Sequence, residues 1–212
     1  MIDIRRGADR AESRVTGGVV TRHSFSSGSH YDPANTQFGP LVAHDEHVLR
    51  AGSGFEMHPH RDVEIITWVL RGTLLHEDST GRHNTVRHGM VQHLSAASGV
   101  EHSERNGGAD DLCFVQMWVL GTGQPAPRYT VSTSTILRLD EANLHVVRLD
   151  GDVAILPRAP HVHVYVAQGE AELADIGTLH AGDAVRITGG DGHAVGGDAE
   201  LLIWEMPAAP AR

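Results

Sequence analysis

The fold of this 212-residue chain is decided by the stretch from Gly52 to Gly72, which contains the string His58-Pro59-His60-Arg61-Asp62-Val63-Glu64. Side chains on a β-strand alternate between two faces, so His58 and His60 share one face of a strand. The same alternation puts His102 and Glu104 on one face of a second strand, within the run Gly99-Val100-Glu101-His102-Ser103-Glu104-Arg105-Asn106. Two such strands that face each other bring three imidazoles and a carboxylate around one point.

Three imidazoles and a carboxylate form a ligand set for a divalent transition metal, with coordination positions left for a substrate or for dioxygen. One His-x-His pair alone is weak evidence, because the chain contains 16 histidines. The second half of the pattern favours a metal site with His58, His60, His102 and Glu104 as ligands. Glu64 is the alternative carboxylate. Glu104 is favoured because its spacing of two from His102 places both on one face, and Glu64 would then line the pocket or orient a ligand histidine.

These residues resemble the two cupin motifs, and they resemble the pirin family more closely. The likeness is carried by the string His58-Pro59-His60-Arg61 followed by Glu64, the turn Asp78-Ser79 and the string His102-Ser103-Glu104, with further similarity at Tyr31-Asp32-Pro33 and Met117-Trp118-Val119. The resemblance implies an all-β fold of two cupin barrels in tandem, each a double-stranded β-helix or jelly roll. It also implies that Glu104 is the carboxylate ligand.

Almost the whole chain reads as short strands separated by Gly, Asp and Ser turns. The predicted strands include residues 63–70, 73–76, 86–94, 112–119, 143–149, 161–167, 184–187 and 201–205. The one short helical candidate covers residues 8–13. The scattered histidines His76, His83, His88 and His93 are interpreted as mostly solvated residues at turns and strand ends.

An internal repeat predicts two domains. Val69-Leu70-Arg71-Gly72 is echoed by Val166-Ala167-Gln168-Gly169, and the spacing of Gly99 to His102 recurs from Gly190 to His193. We expect a metal-binding barrel at residues 1–120, a linker at 121–127 and a degenerate barrel at 128–212. In the second copy, the positions of His58, His60 and Glu104 fall on Ile155, Pro157 and Val195. The second barrel is therefore expected to be metal-free.

Composition narrows the range of partners. The chain has 17 Lys and Arg against 27 Asp and Glu, a net charge of −10, which argues against direct nucleic-acid binding. The N-terminus lacks an apolar signal region, and no apolar run is long enough for a membrane span, so no membrane association is expected. The only cysteine, Cys113, cannot form a disulfide within the chain. A cytoplasmic location is the expectation.

The resemblance to pirin proteins also implies an activity, because members of that family resemble flavonol 2,3-dioxygenases. The implied partners are dioxygen and a flavonol or enediol-like small molecule, with one divalent metal ion per chain. Iron(II) is the first expectation, with manganese, nickel, cobalt or zinc as alternatives. Glu104 would also be catalytic, accepting the substrate hydroxyl proton. The alternative function is a non-catalytic, metal- or redox-responsive regulatory interaction protein, and another cupin reaction such as isomerisation is a third.

Overall fold

A computed structural model of the chain describes residues 1–15, 17–121 and 123–208. It confirms the all-β fold of two tandem cupin barrels. Helical structure in the described residues is limited to a 3-10 turn at Gly7–Asp9, so the helix predicted at residues 8–13 is wrong. Its second half instead begins the strand Ala11–Val15, whose residues pair across to a neighbouring strand. No helix in the described ranges is long and apolar enough to cross a membrane.

The described residues form eighteen strands, numbered in chain order. They are β1 (Ile2–Arg5), β2 (Ala11–Val15), β3 (Val19–His23), β4 (Leu41–Leu49), β5 (Gly54–His60), β6 (Val63–Arg71), β7 (Thr73–Asp78), β8 (His83–Arg87), β9 (Val91–Ser95), β10 (Val100–Asn106), β11 (Leu112–Leu120), β12 (Arg128–Ser132), β13 (Ile136–Arg138), β14 (Asn143–Ile155), β15 (His161–Leu173), β16 (Gly177–His180), β17 (Ala184–Thr188) and β18 (Ala194–Met206). The strand predicted at residues 86–94 is split into β8 and β9. Gly89 lies in the turn between them with a φ of +86°, which a strand interior does not adopt.

The strands belong to two compact units. One consists of Ala11–Gln37 and Leu41–Ser134, and is called the first barrel. The other consists of Met1–Arg10, Phe38–Pro40 and Thr135–Arg212, and is called the second barrel. The domain limits expected from the repeat, 1–120 and 128–212, stay a prediction, as does the linker at 121–127, in which Thr122 lies outside the described residues.

The first barrel contains two antiparallel sheets. One follows the order β12-β9-β6-β11-β4-β3-β2 and the other the order β5-β10-β7-β8. Leu74 of β7 and Phe114 of β11 belong to one fully buried apolar cluster, while Ile65 and Leu94 belong to a second. The same strands also bury polar side chains at the positions between their apolar residues. The candidate site is built from these buried polar side chains.

Strand β5 forms one end of its sheet and pairs with β10 alone in the sheet order. Pro59 lies in this strand, where its lack of an N–H is tolerated at a sheet edge. The register shifts between His102 and Glu104, because β5 accommodates an extra residue there. Gly54 permits the close approach of the two strands, since a Cβ at this position would lie 2.3 Å from the Glu104 carbonyl oxygen.

The second barrel is one sheet dominated by β14, β15 and β18, which have 13 residues each. Its buried residues include an apolar cluster that contains Val164, Leu201 and Ile203. Strand β1 pairs antiparallel with β17, so the start of the chain forms part of this unit.

A buried carboxylate fastens the N-terminal segment within the second barrel. Asp183 accepts hydrogen bonds from the Gly7 backbone N–H at 2.7 Å, the Arg6 guanidinium at 2.7 Å and the His180 backbone N–H at 3.2 Å. Burial alone would raise the pKa of Asp183, but the bonds from Gly7 and Arg6 outweigh it and lower the pKa. The ionised form therefore stabilises the folded unit.

Candidate metal centre

Three of the predicted ligands converge in the first barrel. His102 of β10 is the registered partner of His58 on β5, and His60 follows on the same face of β5. The ring centroids are 4.6 Å apart for His58 and His102, 4.7 Å for His58 and His60, and 4.9 Å for His60 and His102. One nitrogen of each ring lies within 4.8 Å of one nitrogen of both others. The three nitrogens are therefore close enough together to form a candidate metal site.

The nitrogens at this point have available lone pairs. His58 donates its Nδ1 proton to the Glu56 carbonyl oxygen at 2.7 Å, which leaves Nε2 as the lone-pair nitrogen. His60 Nε2 and both ring nitrogens of His102 are buried and have no hydrogen-bond partner among the described residues. Buried polar atoms without partners are rare in folded proteins, so their clustering indicates a place for a ligand.

Electrostatics keep two of these imidazoles neutral. Burial, followed by the proximity of His102 and His58, lowers the pKa of His60 to about 4. Burial, followed by the proximity of His58 and His76, lowers the pKa of His102 to about 3. Since a metal binds the neutral imidazole, both rings are in the binding form at pH 7 without losing a proton first.

Glu104 is held as a hydrogen-bond acceptor by two amides. Gln92 donates to Oε1 at 3.1 Å, and Gln116 donates to Oε2 at 2.6 Å. The amides are themselves oriented, because Tyr129 donates its hydroxyl to the Gln92 oxygen at 2.9 Å and Trp118 donates its indole N–H to the Gln116 oxygen at 3.0 Å. An indole N–H can only donate, so Gln116 must turn its NH₂ group toward Glu104. Each oxygen of Glu104 therefore accepts one hydrogen bond and keeps a further lone pair for a ligand.

The four predicted ligands are divided between two overlapping donor groups in the described residues, and the second group also contains His76. One group is His58, His60 and His102, and the other is His76, His102 and Glu104, each with donor atoms within 4.8 Å of one another. The sequence therefore brings the three histidines together as expected, while Glu104 lies beside His102 and a histidine that the sequence pattern did not select. The ligand set itself stays a prediction.

His76 is the site residue that sequence reasoning missed. The interpretation of this residue as solvated is wrong, because only 1% of it is exposed. Strand β7 pairs with β10 in a register that sets His76 opposite Glu104. A signal was available in the spacing of His76 and Asp78, which share one face of a strand, but the sequence does not show that this face is turned inward.

Glu64, the alternative carboxylate, is hydrogen-bonded to side chains outside the two donor groups. Its Oε2 accepts a hydrogen bond from His93 Nε2 at 2.6 Å, and its Oε1 accepts one from the Ser95 hydroxyl at 2.8 Å. It belongs to neither donor group. Its contacts therefore fix it among β6 and β9.

Two open clefts flank the ligand strand β5. One, of about 530 Å³, is lined by His58 and by apolar side chains that include Val19, Phe55 and Met57. The other, of about 500 Å³, is lined by His60 with Arg61 and Glu101. His102 and Glu104 are buried beneath, so solvent reaches the centre from the side of His58 and His60.

The two barrels and the inward-facing histidine cluster define the chain as a tandem cupin. The family model named Pirin matches residues 7–119, and the chain belongs to the pirin family.

Known relatives agree with that placement. The chain is 41% identical to a protein named "Putative quercetin 2,3-dioxygenase" from Mycobacterium tuberculosis strain H37Rv, over 98% of this chain and 96% of the relative. It is 28% identical to the quercetin 2,3-dioxygenase of Escherichia coli K12, over 98% of this chain and 99% of that protein. Its structure is similar to that of the bacterial pirin YhhW from Escherichia coli in complex with nickel(II), with a TM-score of 0.90, 25% identity and coverage of 99% of this chain and 100% of that one.

Proposed function

We propose that this chain is a metal-dependent dioxygenase that cleaves flavonols or related enediol-like compounds, as a quercetin 2,3-dioxygenase does. The observation that carries the proposal is the convergence of His58, His60 and His102, which bring one nitrogen each within 4.8 Å of the others beside a cleft with apolar side chains. The names of the relatives from Mycobacterium tuberculosis and Escherichia coli support the same reaction.

The residues present fit a divalent ion. We propose that His58, His60, His102 and Glu104 hold it, which gives three neutral donors and one anionic donor. When bound, such an ion would hold the adjacent oxygens of the substrate and allow dioxygen to react with its ring, with release of carbon monoxide. Iron(II) is our first expectation. Nickel, cobalt, manganese and zinc suit the same donors. The affinity order of divalent ions does not place iron(II) first.

The cleft beside His58 is proposed to take the substrate rings. Its volume of about 530 Å³ falls in the range of small-molecule sites. Phe55 and Met57, which line this cleft, would form an apolar wall against the aromatic rings. Phe55 also packs against the apolar cluster of the first barrel that contains Leu74 and Phe114.

Glu104 is proposed to take the hydroxyl proton of the substrate. Its Oε2 is held by the shorter hydrogen bond, at 2.6 Å from Gln116, whereas Oε1 accepts the longer bond of 3.1 Å from Gln92. The less tightly held Oε1 is the oxygen that we expect to receive the proton. Proton removal leaves the substrate as an enolate, which is the form that reacts with dioxygen. We also propose a cytoplasmic location for this reaction.

Oxygen uptake tests the proposal directly. Protein purified without oxygen and loaded separately with each divalent metal is mixed with quercetin, and oxygen consumption, carbon monoxide release and loss of the flavonol absorption band are followed. We expect turnover with at least one metal, and no turnover in His58→Ala or His102→Ala. His83→Ala is the matched control, since His83 is exposed and belongs to neither donor group.

Metal-loaded protein that consumes no oxygen with quercetin or other flavonols would contradict the proposal. Tight metal binding without turnover would then favour the regulatory interaction protein.

A further inference from the structure

His76 lies in the interior of the first barrel with one nitrogen unused. Its ring stacks on Tyr129 with centroids 4.4 Å apart and an interplanar angle of 23°, and its centroid is 5.4 Å from that of His102. Its Nδ1 atom is buried and has no hydrogen-bond partner in the described parts of the chain. The dioxygenase reaction proposed above assigns no role to this residue.

The position of the proton on His76 follows from its neighbour. Asp78 Oδ2 lies 3.3 Å from His76 Nε2, and Asp78 Oδ1 accepts a hydrogen bond from the Thr80 backbone N–H at 2.8 Å. Asp78 Oδ1 also accepts hydrogen bonds from the Thr80 hydroxyl and the Arg82 backbone N–H, and three donors on one oxygen favour the ionised carboxylate, which can only accept. His76 must therefore donate from Nε2, which leaves the lone pair on Nδ1.

A histidine that donates one N–H to a carboxylate and presents the other nitrogen is the usual arrangement of a metal ligand and its supporting acid. A nitrogen of His76 also lies within 4.8 Å of a nitrogen of His102 and an oxygen of Glu104. Two imidazoles and one carboxylate are the donor set that non-haem iron(II) oxygenases use, with positions left open for other ligands.

We propose that His76, His102 and Glu104 form a second, inner metal position, which shares His102 and Glu104 with the outer set that also contains His58 and His60. This inference rests on the proposed metal binding of the chain, and it goes beyond that proposal by adding His76 as a ligand. One ion occupies either position, because both need His102. The outer position faces the two clefts, while all three residues of the inner position are buried.

Cobalt(II) titration of full-length variants tests the inner position. The double variant His58→Ala/His60→Ala removes both ligands that are unique to the outer set. If the inner position exists, the double variant still binds one equivalent of cobalt(II), with an altered visible absorption spectrum. Adding His76→Ala to the double variant should then weaken binding by more than about 100-fold, since loss of a direct ligand exceeds the 10- to 100-fold effect of losing its hydrogen-bond partner.

Two further variants keep the test independent of folding. Asp78→Asn in the double variant should weaken cobalt(II) binding by about 10- to 100-fold, because the carboxylate that fixes the His76 proton is lost. His83→Ala in the same background should change nothing. Circular dichroism and thermal melting check that each variant is folded.

The outcomes separate this inference from the proposed dioxygenase function. A double variant that binds no cobalt(II) while the wild-type chain binds one equivalent overturns the inner position and leaves the dioxygenase proposal intact. Retention of cobalt(II) in the folded triple variant also overturns it. If the double variant binds cobalt(II) through His76 but the wild-type chain oxidises no flavonol, the inner position is supported and the dioxygenase proposal fails.

Discussion

Replacement of Glu104 by glutamine isolates the contribution of the buried carboxylate. Glu104 accepts one amide N–H on each oxygen, and both donors are fixed by Tyr129 and Trp118. In Glu104→Gln, one of these oxygens becomes an NH₂ group that faces another NH₂ group. At least one hydrogen bond is lost, and an unsatisfied buried donor costs about 1–3 kcal/mol.

The effect on metal binding should be larger than the effect on stability. The variant loses the only anionic ligand of the proposed set, so we expect the metal dissociation constant to rise by more than about 100-fold, which corresponds to about 2.8 kcal/mol. Turnover of flavonols should be abolished as well. Competition between the protein and a chromophoric chelator for cobalt(II) or nickel(II) measures the dissociation constant.

Glu64→Gln is the matched control, because Glu64 is also a buried carboxylate with two side-chain donors. It should retain the metal and reduce the rate by at most about 10- to 100-fold through disorder around the site. The reverse result, with the metal lost from Glu64→Gln and retained by Glu104→Gln, would refute the assignment of Glu104.

Three further predictions concern the metal content, the second barrel and the strand contact at the site. Elemental analysis of purified protein should give one metal per chain, and two equivalents would contradict the expectation of a metal-free second copy. Asp183→Asn should lower the free energy of unfolding at pH 7 by about 1–3 kcal/mol, because two backbone N–H groups lose an ionised acceptor. The pKa of Asp183 is lowered in the folded state, so the extra stability of the wild type is full above the ordinary aspartate pKa and is lost as the pH falls through the lowered value. Urea unfolding in which the difference in stability between wild type and variant stays constant from pH 7 to pH 3 would count against this prediction. Gly54→Ala should lower the free energy of unfolding by roughly 1–3 kcal/mol, since the new Cβ would meet the Glu104 carbonyl oxygen, whereas Gly196→Ala meets only ordinary contacts and should melt near the wild-type temperature.

Short-range spacing in the sequence predicted much of the fold and the outer histidines. The pairs His58 and His60, and His102 and Glu104, depend only on the two-residue period of a strand, which the structure obeys. Strand 112–119 was also predicted to within one residue, because Leu112–Leu120 is apolar at every position except Gln116 and lies between turn residues.

Features that depend on strand register could not be predicted in the same way. His76 joins the site only because β7 pairs with β10, and the extra residue in β5 shifts which side chains face one another. Gln92 and Gln116 reach Glu104 from strands of the other sheet of the first barrel. A single sequence gives the period of each strand, but it does not show which strands become neighbours or which polar face turns inward.

Strand β5 forms one end of its sheet, and under the proposed ligand assignment that position would couple metal release to a local motion. It carries His58 and His60, while His102 and Glu104 belong to β10, the next strand inward. End strands separate from a sheet at a lower free energy than interior strands, so an ion held by the proposed ligands would leave without unfolding of the barrel. Conversely, an ion at 100 times its dissociation constant would oppose that separation by about 2.7 kcal/mol. The rate of metal exchange in this protein should therefore follow the hydrogen-exchange rate of the β5 backbone amides.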